Sequence, residues 1–237
     1  MPELIAKTGL SRTAAKQQLL RLDHVRRIVR TQGFFVIVSP EEQLMGSPPA
    51  VEWLDDYFKW LGRPYYLALL SAAAAYGSQP QAVQVVQVMT DAPRRDVQVG
   101  RQHIRFYFKA KTRDTPTQQM PNGRVPMLVS TPEATVLDLI RYAGRIGGFS
   151  RAEETINPML PLLKASGLRK ALEAEDEPAL GQRLGYILES AGRTSLASTV
   201  QRWLPSSPLW TALEPAPKVN RQNWPSIPRW RLIKNVP

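Results

Sequence analysis

The sequence predicts an α+β protein, in which a small N-terminal unit of helices and a β-hairpin precedes a larger mixed α/β domain. Residues 2–39 have the pattern of helix, turn, helix and two β-runs. Between residues 81 and 129 short β-runs dominate, and helical periodicity lies on both sides of them. A polar connector with the sequence EEQLMGSPP separates the two parts. We therefore predict one domain over residues 1–40 and a second over residues 41–237.

The second helix of the N-terminal unit is predicted to be amphipathic. Ser11 lies where a helix N-cap belongs, because its hydroxyl can accept a hydrogen bond from a free N–H of the first turn. Ala15, Leu19 and Leu22 recur at helical spacing, so we expect this face to be buried. The opposite face carries Arg12, Thr13, Lys16 and Gln17.

Two β-runs follow this helix and are predicted to pair as a hairpin. The first run is Arg26–Arg30, the second is Phe34–Val38, and Thr31–Gly33 forms the turn between them. Helix, turn, helix and hairpin is the order of a winged helix-turn-helix. In helix-turn-helix proteins the second helix enters the DNA major groove, and the hairpin tip is expected to lie along the backbone.

The chemistry of these residues fits DNA, whose binding needs cations on phosphates and a few side chains that reach base edges. Arg12 and Lys16 could donate to guanine acceptors. Gln17 could make a two-point contact with adenine, and Thr13 could touch a thymine methyl. The predicted DNA-contacting residues are Arg12, Thr13, Lys16, Gln17, Arg26, Arg27, Arg30 and Gln32. A small helical cap with a solvated basic face is the alternative, and the turn and hairpin favour DNA over it.

A winged helix ordinarily has a further helix before the segment that begins at Pro2. Because Met1 falls at the second helix of that fold, we expect the first helix to be missing. Either the domain is reduced or the true start lies upstream. Apolar residues such as Leu4 and Leu22 would then have fewer packing partners, and DNA affinity would be weakened.

Net charge and composition narrow the class of partner. The 237 residues carry a formal net charge of +11, which favours a polyanionic partner, nucleic acid being the usual one and an anionic membrane surface the competing one. Neither a run of about eighteen apolar residues nor a signal-peptide pattern occurs, so we expect a cytoplasmic protein. With no cysteine and two histidines, the chain lacks residues for disulfides, thiolate metal sites or histidine-rich metal sites, and no cofactor is expected.

The larger domain is predicted to contain both helices and strands. Ala50–Leu61 is a helix ended by Gly62, and Tyr65–Tyr76 is a second, alanine-rich helix. Thr131 before Pro132 is a strong helix start, because proline fits the first helical position. The other predicted elements are β-runs in Val83–Val88, Asp96–Val99, Ile104–Lys109 and Val125–Val129, and helical pieces in Ile156–Lys164, Leu168–Leu172 and Gln182–Glu189.

The end of the chain is rich in proline and is predicted to be irregular. We interpret it as an extended tail that lies over the domain surface and is pinned by Trp210, Trp224 and Trp230. Its basic residues are Lys218, Arg221, Arg229, Arg231 and Lys234.

A second group of basic residues lies in the predicted sheet. In Ile104–Lys109 apolar residues alternate with Arg105, Tyr107 and Lys109, which is typical of a half-buried strand with a basic solvent face. The predicted second basic surface comprises Arg94, Arg95, Arg101, Arg105, Lys109 and Lys111. It could hold nucleic acid or the acidic surface of a protein partner. Basic residues on an exposed sheet face also keep sheets soluble and block edge pairing, and the sequence leaves these roles open.

The order of several segments along the chain resembles one known family. The segments are FFVIVSPEE, PYYLALLSAAAAYG, VSTPEATVLDLIRY and QRLGYILE, followed by a terminal WRLIKNV. This succession is similar to the AbiEi family, the antitoxins of type IV toxin–antitoxin systems first associated with abortive phage infection. The likeness covers nearly the whole chain and depends on the order of the motifs.

The resemblance implies a two-part function. It implies an N-terminal winged helix that represses the toxin–antitoxin operon by binding inverted repeats in double-stranded DNA. It also implies a larger C-terminal domain that supplies antitoxin activity and can assist DNA binding. The toxin would be a nucleotidyltransferase-like protein, which the antitoxin counters without a stable complex.

Motifs of the common enzyme classes do not occur in the sequence. There is no G-x-S-x-G, P-loop, H-E-x-x-H or Cys/His pair. The nearest approach to a nuclease pattern is Asp91 or Asp96 ahead of Lys109 and Lys111. Metal-dependent hydrolysis needs clustered carboxylates, and this strand has none beside its lysines.

Two further carboxylates, Glu133 and Asp138, are explained by compensation of the helix dipole and by local pairing with Arg141. We therefore predict that the protein is not an enzyme and has no catalytic or metal-binding residues. A metal-dependent nuclease with an unrecognised site is the alternative.

Overall fold

The computed structural model describes residues 2–27, 33–78, 85–122, 124–215 and 224–235 of the chain. Its first elements are helix α1 (Pro2–Thr8) and helix α2 (Arg12–Arg21), followed by strands β1 (Val25–Arg27) and β2 (Phe35–Ile37). The two strands pair antiparallel, with Arg26 opposite Val36. Helix, turn, helix and paired strands therefore follow one another in the predicted order. The predicted turn lies almost wholly outside the described residues.

The predicted buried face of α2 is only partly correct. Ala15 is buried and Leu19 is half-buried, but Leu22 is 43% exposed and the neighbouring Leu20 is 44% exposed. Helix α2 ends at Arg21, and Leu22 has an extended backbone. Because Leu22 lies beyond the end of the helix, the helical spacing that predicted its burial does not apply to it.

A six-stranded mixed sheet forms the centre of the larger part of the chain. Its strands and the helices among them are α3 (Ala50–Leu61), β3 (Tyr65–Leu67), α4 (Leu69–Ala75), β4 (Val85–Thr90), β5 (Val97–Val99), β6 (Gln102–Phe108), β7 (Thr117–Met120) and β8 (Met127–Ser130). The order across the sheet is β5-β6-β4-β3-β8-β7. The pairs β4/β6 and β3/β8 are parallel, and the other neighbours are antiparallel.

Both faces of this sheet are covered by helices. On one face, Trp53, Leu54 and Phe58 of α3 share a hydrophobic cluster with Val88 and Ile104 of the sheet. The other face contacts a helical layer made of α5 (Pro132–Arg141), α6 (Ala143–Ile146), α7 (Phe149–Ile156), α8 (Ala165–Glu175), α9 (Pro178–Ser190) and α10 (Thr194–Trp203). Because the sheet lies between two apolar layers, its central strands are buried on both sides.

The single helix predicted for Tyr65–Tyr76 is wrong in its first part. Tyr65–Leu67 is strand β3, which pairs with β4 on one side and β8 on the other, and only Leu69–Ala75 is helical. Leu69 has a positive φ of 52°, so the chain turns sharply between the two elements. A short apolar run cannot be assigned to helix or strand by periodicity alone, and the paired tyrosines favour a strand.

Helix α5 begins as predicted, with Thr131 as N-cap and Pro132 at its first position. Thr131 Oγ1 accepts a hydrogen bond from Ala134 N at 3.3 Å. We expect Thr131→Ala to lower the free energy of unfolding by about 1 kcal/mol, because one N–H of the first turn loses its acceptor. Urea unfolding followed by circular dichroism measures this change. The matched control is Thr117→Ala on the exposed strand β7, and equal losses in the two variants would contradict the capping role.

The C-terminal segment is more ordered than predicted. It forms a small sheet of β9 (Thr211–Ala212), β10 (Ser226–Ile227) and β11 (Leu232–Ile233), in the order β10-β11-β9. Trp230 is fully buried, as expected for a residue that pins this segment, whereas Trp210 and Trp224 are exposed and the prediction for them is wrong.

Helix α9 provides the seat for Trp230. The ring lies directly over Gly185, where a Cβ atom would overlap it. Trp230 Nε1 donates to Glu189 Oε2 at 2.6 Å, and Gln182 Nε2 donates to Trp230 O at 2.8 Å. The C-terminal segment is thus part of the core.

Candidate functional site

The polar face predicted on α2 is present on the surface. Arg12, Thr13 and Gln17 are exposed and Lys16 is half-buried, while Ala15 on the opposite side is buried. Ser11 caps the helix, since its Oγ accepts from Ala14 N at 3.2 Å. These side chains are therefore presented to solvent by a helix that begins where it was predicted to begin.

The hairpin residues predicted to contact DNA are described only in part. Arg26 is exposed, and its Nη1 donates to Asp23 O at 2.6 Å and to Val25 O at 3.2 Å. Arg27 lies opposite Phe35 in the ladder. The side chain of Arg27 and the whole of Arg30 and Gln32 lie outside the described residues.

The predicted second basic surface does not form one face. Arg94 lies on the α3 side of the sheet, where its Nη2 donates to Tyr57 Oη at 2.6 Å. Arg105 donates to Asp96 Oδ2 at 3.0 Å and, by the alternation of β6, points to the opposite side from Phe106. Arg95, Arg101 and Lys111 are exposed, and Lys111 Nζ is 3.8 Å from Asp176 Oδ2. A single binding face made of all six residues is therefore ruled out.

Lys109 contradicts the prediction most directly, because its side chain is only 4% exposed. Its Nζ donates to Asp138 Oδ1 at 2.9 Å, to Tyr66 Oη at 3.3 Å and to Glu175 Oε1. The alternation seen in the sequence ends at Tyr107, which is buried, and Phe108 is exposed instead. Lys109 follows the last residue of β6 and turns into the interior toward two carboxylates.

These residues form a buried charge cluster, which we define as Lys109, Asp138, Glu175, Arg141 and Tyr66. Arg141 Nη2 is 2.6 Å from Glu175 Oε2, and Tyr66 Oη donates to Asp138 Oδ2 at 2.9 Å. Two cations therefore face two anions. Burial raises the pKa of Asp138, an effect that Lys109 opposes, and burial also raises the pKa of Tyr66 well above its ordinary value.

The predicted pairing of Glu133 and Asp138 with Arg141 is not observed. Asp138 bonds Lys109, and Arg141 bonds Glu175 and, at 2.8 Å, Glu177. Glu133 Oε1 accepts from Lys164 N at 2.8 Å, at the start of α8. These partners could not be predicted from local spacing, because they come from distant positions of the chain.

Within the described ranges, no three His, Cys, Asp or Glu side chains come close enough together to hold a metal ion. Across the same residues, no helix combines the length and the apolar character that crossing a membrane requires.

Comparison with solved structures shows a related fold. The structure is similar to that of the RV2827C protein from Mycobacterium tuberculosis, with a TM-score of 0.63 and 14% identity over 98% of this chain and 82% of that one. A nucleotidyltransferase-like protein from Paracoccidioides brasiliensis has a TM-score of 0.38 and 11% identity, over 64% of this chain and 90% of that one. The second likeness is too distant to bear on fold or function. No curated protein matches the chain.

The family comparison covers the centre of the larger domain. Residues 66–190, just over half of the 237 residues, match the model of the AbiEi antitoxin C-terminal domain. The matched range begins at Tyr66 and ends with helix α9, so it includes the entire buried charge cluster. The chain belongs to the AbiEi antitoxin family, and its role is that of an antitoxin of a toxin–antitoxin system.

Proposed function

We propose that this protein is a cytoplasmic, non-enzymatic autorepressor and antitoxin of a type IV toxin–antitoxin system. It binds inverted repeats in the operator of its own operon, and it counters a nucleotidyltransferase-like toxin without forming a stable complex with it. Family membership supports the antitoxin role. The proposal of DNA binding depends on the N-terminal unit.

The main support for the proposal of DNA binding is the exposed polar face of α2. Arg12, Thr13 and Gln17 project to solvent from one capped helix, beside the two-stranded ladder that contains Arg26. Arginine and glutamine can each make two-point contacts with base edges in the major groove. The net charge of +11 adds a general attraction to the phosphate backbone.

A binding assay with the DNA upstream of the protein's own gene tests this proposal. We expect specific retention of that duplex, with an affinity that falls steeply as salt is raised, because phosphate contacts release counterions. A scrambled duplex of equal length is the control. Equal affinity for both duplexes would refute operator recognition, and Mg²⁺-dependent loss of the probe would point instead to a nuclease.

Two substitutions should separate base reading from phosphate binding. Arg12→Ala is expected to weaken operator binding by about 1–3 kcal/mol and to relax base preference, whereas Arg27→Ala should weaken all sequences alike. Fluorescence anisotropy with operator and random duplexes measures both. Arg169→Ala removes the same charge from an exposed site on α8 and controls for net charge. If Arg12→Ala and Arg27→Ala lowered specific and random binding in the same proportion, α2 would not be the reading helix.

The antitoxin part is tested by co-expression with the proposed nucleotidyltransferase-like toxin, to be sought among the neighbouring genes. We expect growth to be restored, and size-exclusion chromatography of the two purified proteins should show separate peaks. Arg12→Ala should still restore growth, because the matched antitoxin region lies in residues 66–190. A stable joint peak would contradict neutralisation without a complex.

A further inference from the structure

The N-terminal hairpin, which we define as β1 and β2, is not separate from the larger domain. Val36 is buried in the same hydrophobic cluster as Trp53 and Phe58 of α3, and Val38 is buried as well. The side of this strand that carries Val36 therefore faces α3. Ile37, which has the opposite parity, is 72% exposed.

Aromatic rings form the edge of this contact. The ring centroids of Phe34 and Tyr57 are 5.3 Å apart in an edge-on arrangement, and those of Phe34 and Trp60 are 5.8 Å apart. Tyr57 and Trp60 are stacked on each other at 6.3 Å. Edge-on and stacked pairs at these distances favour one relative orientation of the rings beyond simple burial. The end of the hairpin ladder nearest the turn is thus held on the last turns of α3.

Arg94 links this aromatic group to the sheet. Its Nη2 donates to Tyr57 Oη at 2.6 Å, and its guanidinium lies 5.5 Å from the Tyr57 ring centre and 5.6 Å from that of Phe106 on β6. A cation over two ring faces is attracted to both. We define the aromatic anchor as Phe34, Tyr57, Trp60 and Arg94.

Pairing with β2 couples the position of strand β1 to this contact. Arg27 of β1 lies opposite Phe35, the residue that follows Phe34. Among the described residues, β2 is the strand that pairs with β1, so the position of β2 on α3 contributes to where the backbone of β1 lies.

We propose that the aromatic anchor positions the hairpin for DNA, with Phe34 and Trp60 as positioning residues that touch no base or phosphate. This inference rests on the proposed DNA-binding function and assigns the orientation of the hairpin to the larger domain. The anchor holds strand β1 where the duplex meets it when α2 is in the groove. Loss of the anchor removes none of the predicted DNA-contacting residues, but it displaces the hairpin relative to α2.

The first test measures the hairpin without DNA. Since the chain contains no cysteine, Arg26→Cys and Glu173→Cys give two unique sites for spin labels, one on the hairpin and one on α8. Electron paramagnetic resonance should show a narrow distance distribution in the parent protein and a broad one in Phe34→Ala and in Trp60→Ala. Ile37→Ala, on the exposed side of the same strand, should leave the distribution narrow. A distribution equally narrow in all four proteins would overturn the inference.

The second test measures affinity for the upstream duplex. We expect Phe34→Ala and Trp60→Ala to weaken binding by about tenfold, and Ile37→Ala by less than about twofold. Arg27→Ala should lower the affinity of the parent protein for the duplex. In the Phe34→Ala background it should lower the affinity by less than about a further twofold, because a displaced arginine has no contact to lose. Phe34→Leu should restore part of the affinity. Losses from Arg27→Ala that multiply fully with those from Phe34→Ala would show that Phe34 acts by another route.

The two tests distinguish failure of the positioning role from failure of the proposed DNA binding. If the parent protein binds no duplex in preference to random DNA, the proposed function fails and the positioning role fails with it. If the parent binds its operator while Phe34→Ala and Trp60→Ala bind equally well as folded proteins, only the positioning role is overturned. Near-ultraviolet circular dichroism and the unfolding midpoint verify that each variant is folded.

Discussion

Replacing Lys109 with alanine should lower the free energy of unfolding by about 3–5 kcal/mol, because breaking a buried ion pair leaves its partners uncompensated. Lys109 is the contact shared by Asp138 and Glu175, and all three side chains are almost fully inaccessible to water. Without it, two carboxylates remain buried beside each other with Arg141 as the remaining cation of the cluster.

Urea unfolding at neutral pH measures this loss, with Lys111→Ala as the matched control. Lys111 is half-exposed and lies 3.8 Å from Asp176, which is itself exposed, so its removal should cost at most about 1 kcal/mol. Similar losses for the two variants would mean that the charge cluster contributes no more than a surface pair.

The effect of Lys109→Ala should also depend on pH. Burial raises the pKa of Asp138 and Lys109 opposes the rise, so removing Lys109 raises the pKa further. A carboxyl whose pKa is higher in the folded state than in the unfolded state favours folding when protonated, and this advantage is lost as pH rises through the folded pKa. The stability difference between variant and parent should therefore shrink from pH 7 toward about pH 4. A difference that stays constant over this range would contradict the assignment to Asp138.

Trp230→Ala should destabilise the protein by about 3–5 kcal/mol, the usual effect of removing a large aromatic side chain from a core. Trp230 is fully buried and packs on Gly185 of α9. Its indole also donates to Glu189, which would lose this partner. Thermal unfolding should show a lower midpoint, and the small sheet of β9, β10 and β11 should lose amide-exchange protection together with α9.

Two further variants make this prediction specific. Trp224→Ala is the control, since Trp224 is exposed and its removal should change stability by about 0.5 kcal/mol or less. Gly185→Val should destabilise the parent by about 1–3 kcal/mol or more, because the new side chain overlaps the Trp230 ring. In the Trp230→Ala background the same valine occupies vacated space, so the double variant should be more stable than the sum of the single losses predicts. Strict additivity would show that the two residues are not in contact in solution.

Features of the fold that depend on neighbouring residues were predictable from the sequence. Helix α3 runs from Ala50 to Leu61 and ends at Gly62, which has the left-handed backbone common at helix ends. Helix α5 begins at Pro132 with Thr131 as its cap. In both cases the signal and the structure it produces lie within one turn of each other.

Features that depend on distant residues were not predictable in the same way. Strand alternation with one covered face predicts a surface position for Lys109, but the sheet is covered on both faces. Its carboxylate partners lie 29 and 66 residues away. The DNA-contacting residues of the N-terminal unit remain predictions, since exposure alone does not identify a ligand.

The C-terminal sheet was missed for a related reason. Each of its strands has two residues, too few to show an alternating pattern. Strand β11 lies between β9 and β10 in the sheet. Its pairing with β9 joins residues about 20 positions apart in the sequence, which no local pattern predicts. The prediction that tryptophans pin the tail is correct for Trp230 and wrong for Trp210 and Trp224. Only the folded structure shows that the space above Gly185 accommodates the Trp230 ring.

The seat of Trp230 on α9 also determines when the newly made protein can finish folding. Gly185 leaves the ribosome 45 residues before Trp230, an interval of about 2–9 s at ordinary rates of translation. During that time the groove on α9 faces water without its ring. The N-terminal hairpin and α3 precede this point, so their contact can form first. Each nascent chain therefore passes through a stage in which its N-terminal hairpin can already pack on α3 while the core of its antitoxin domain is still accessible to chaperones and proteases.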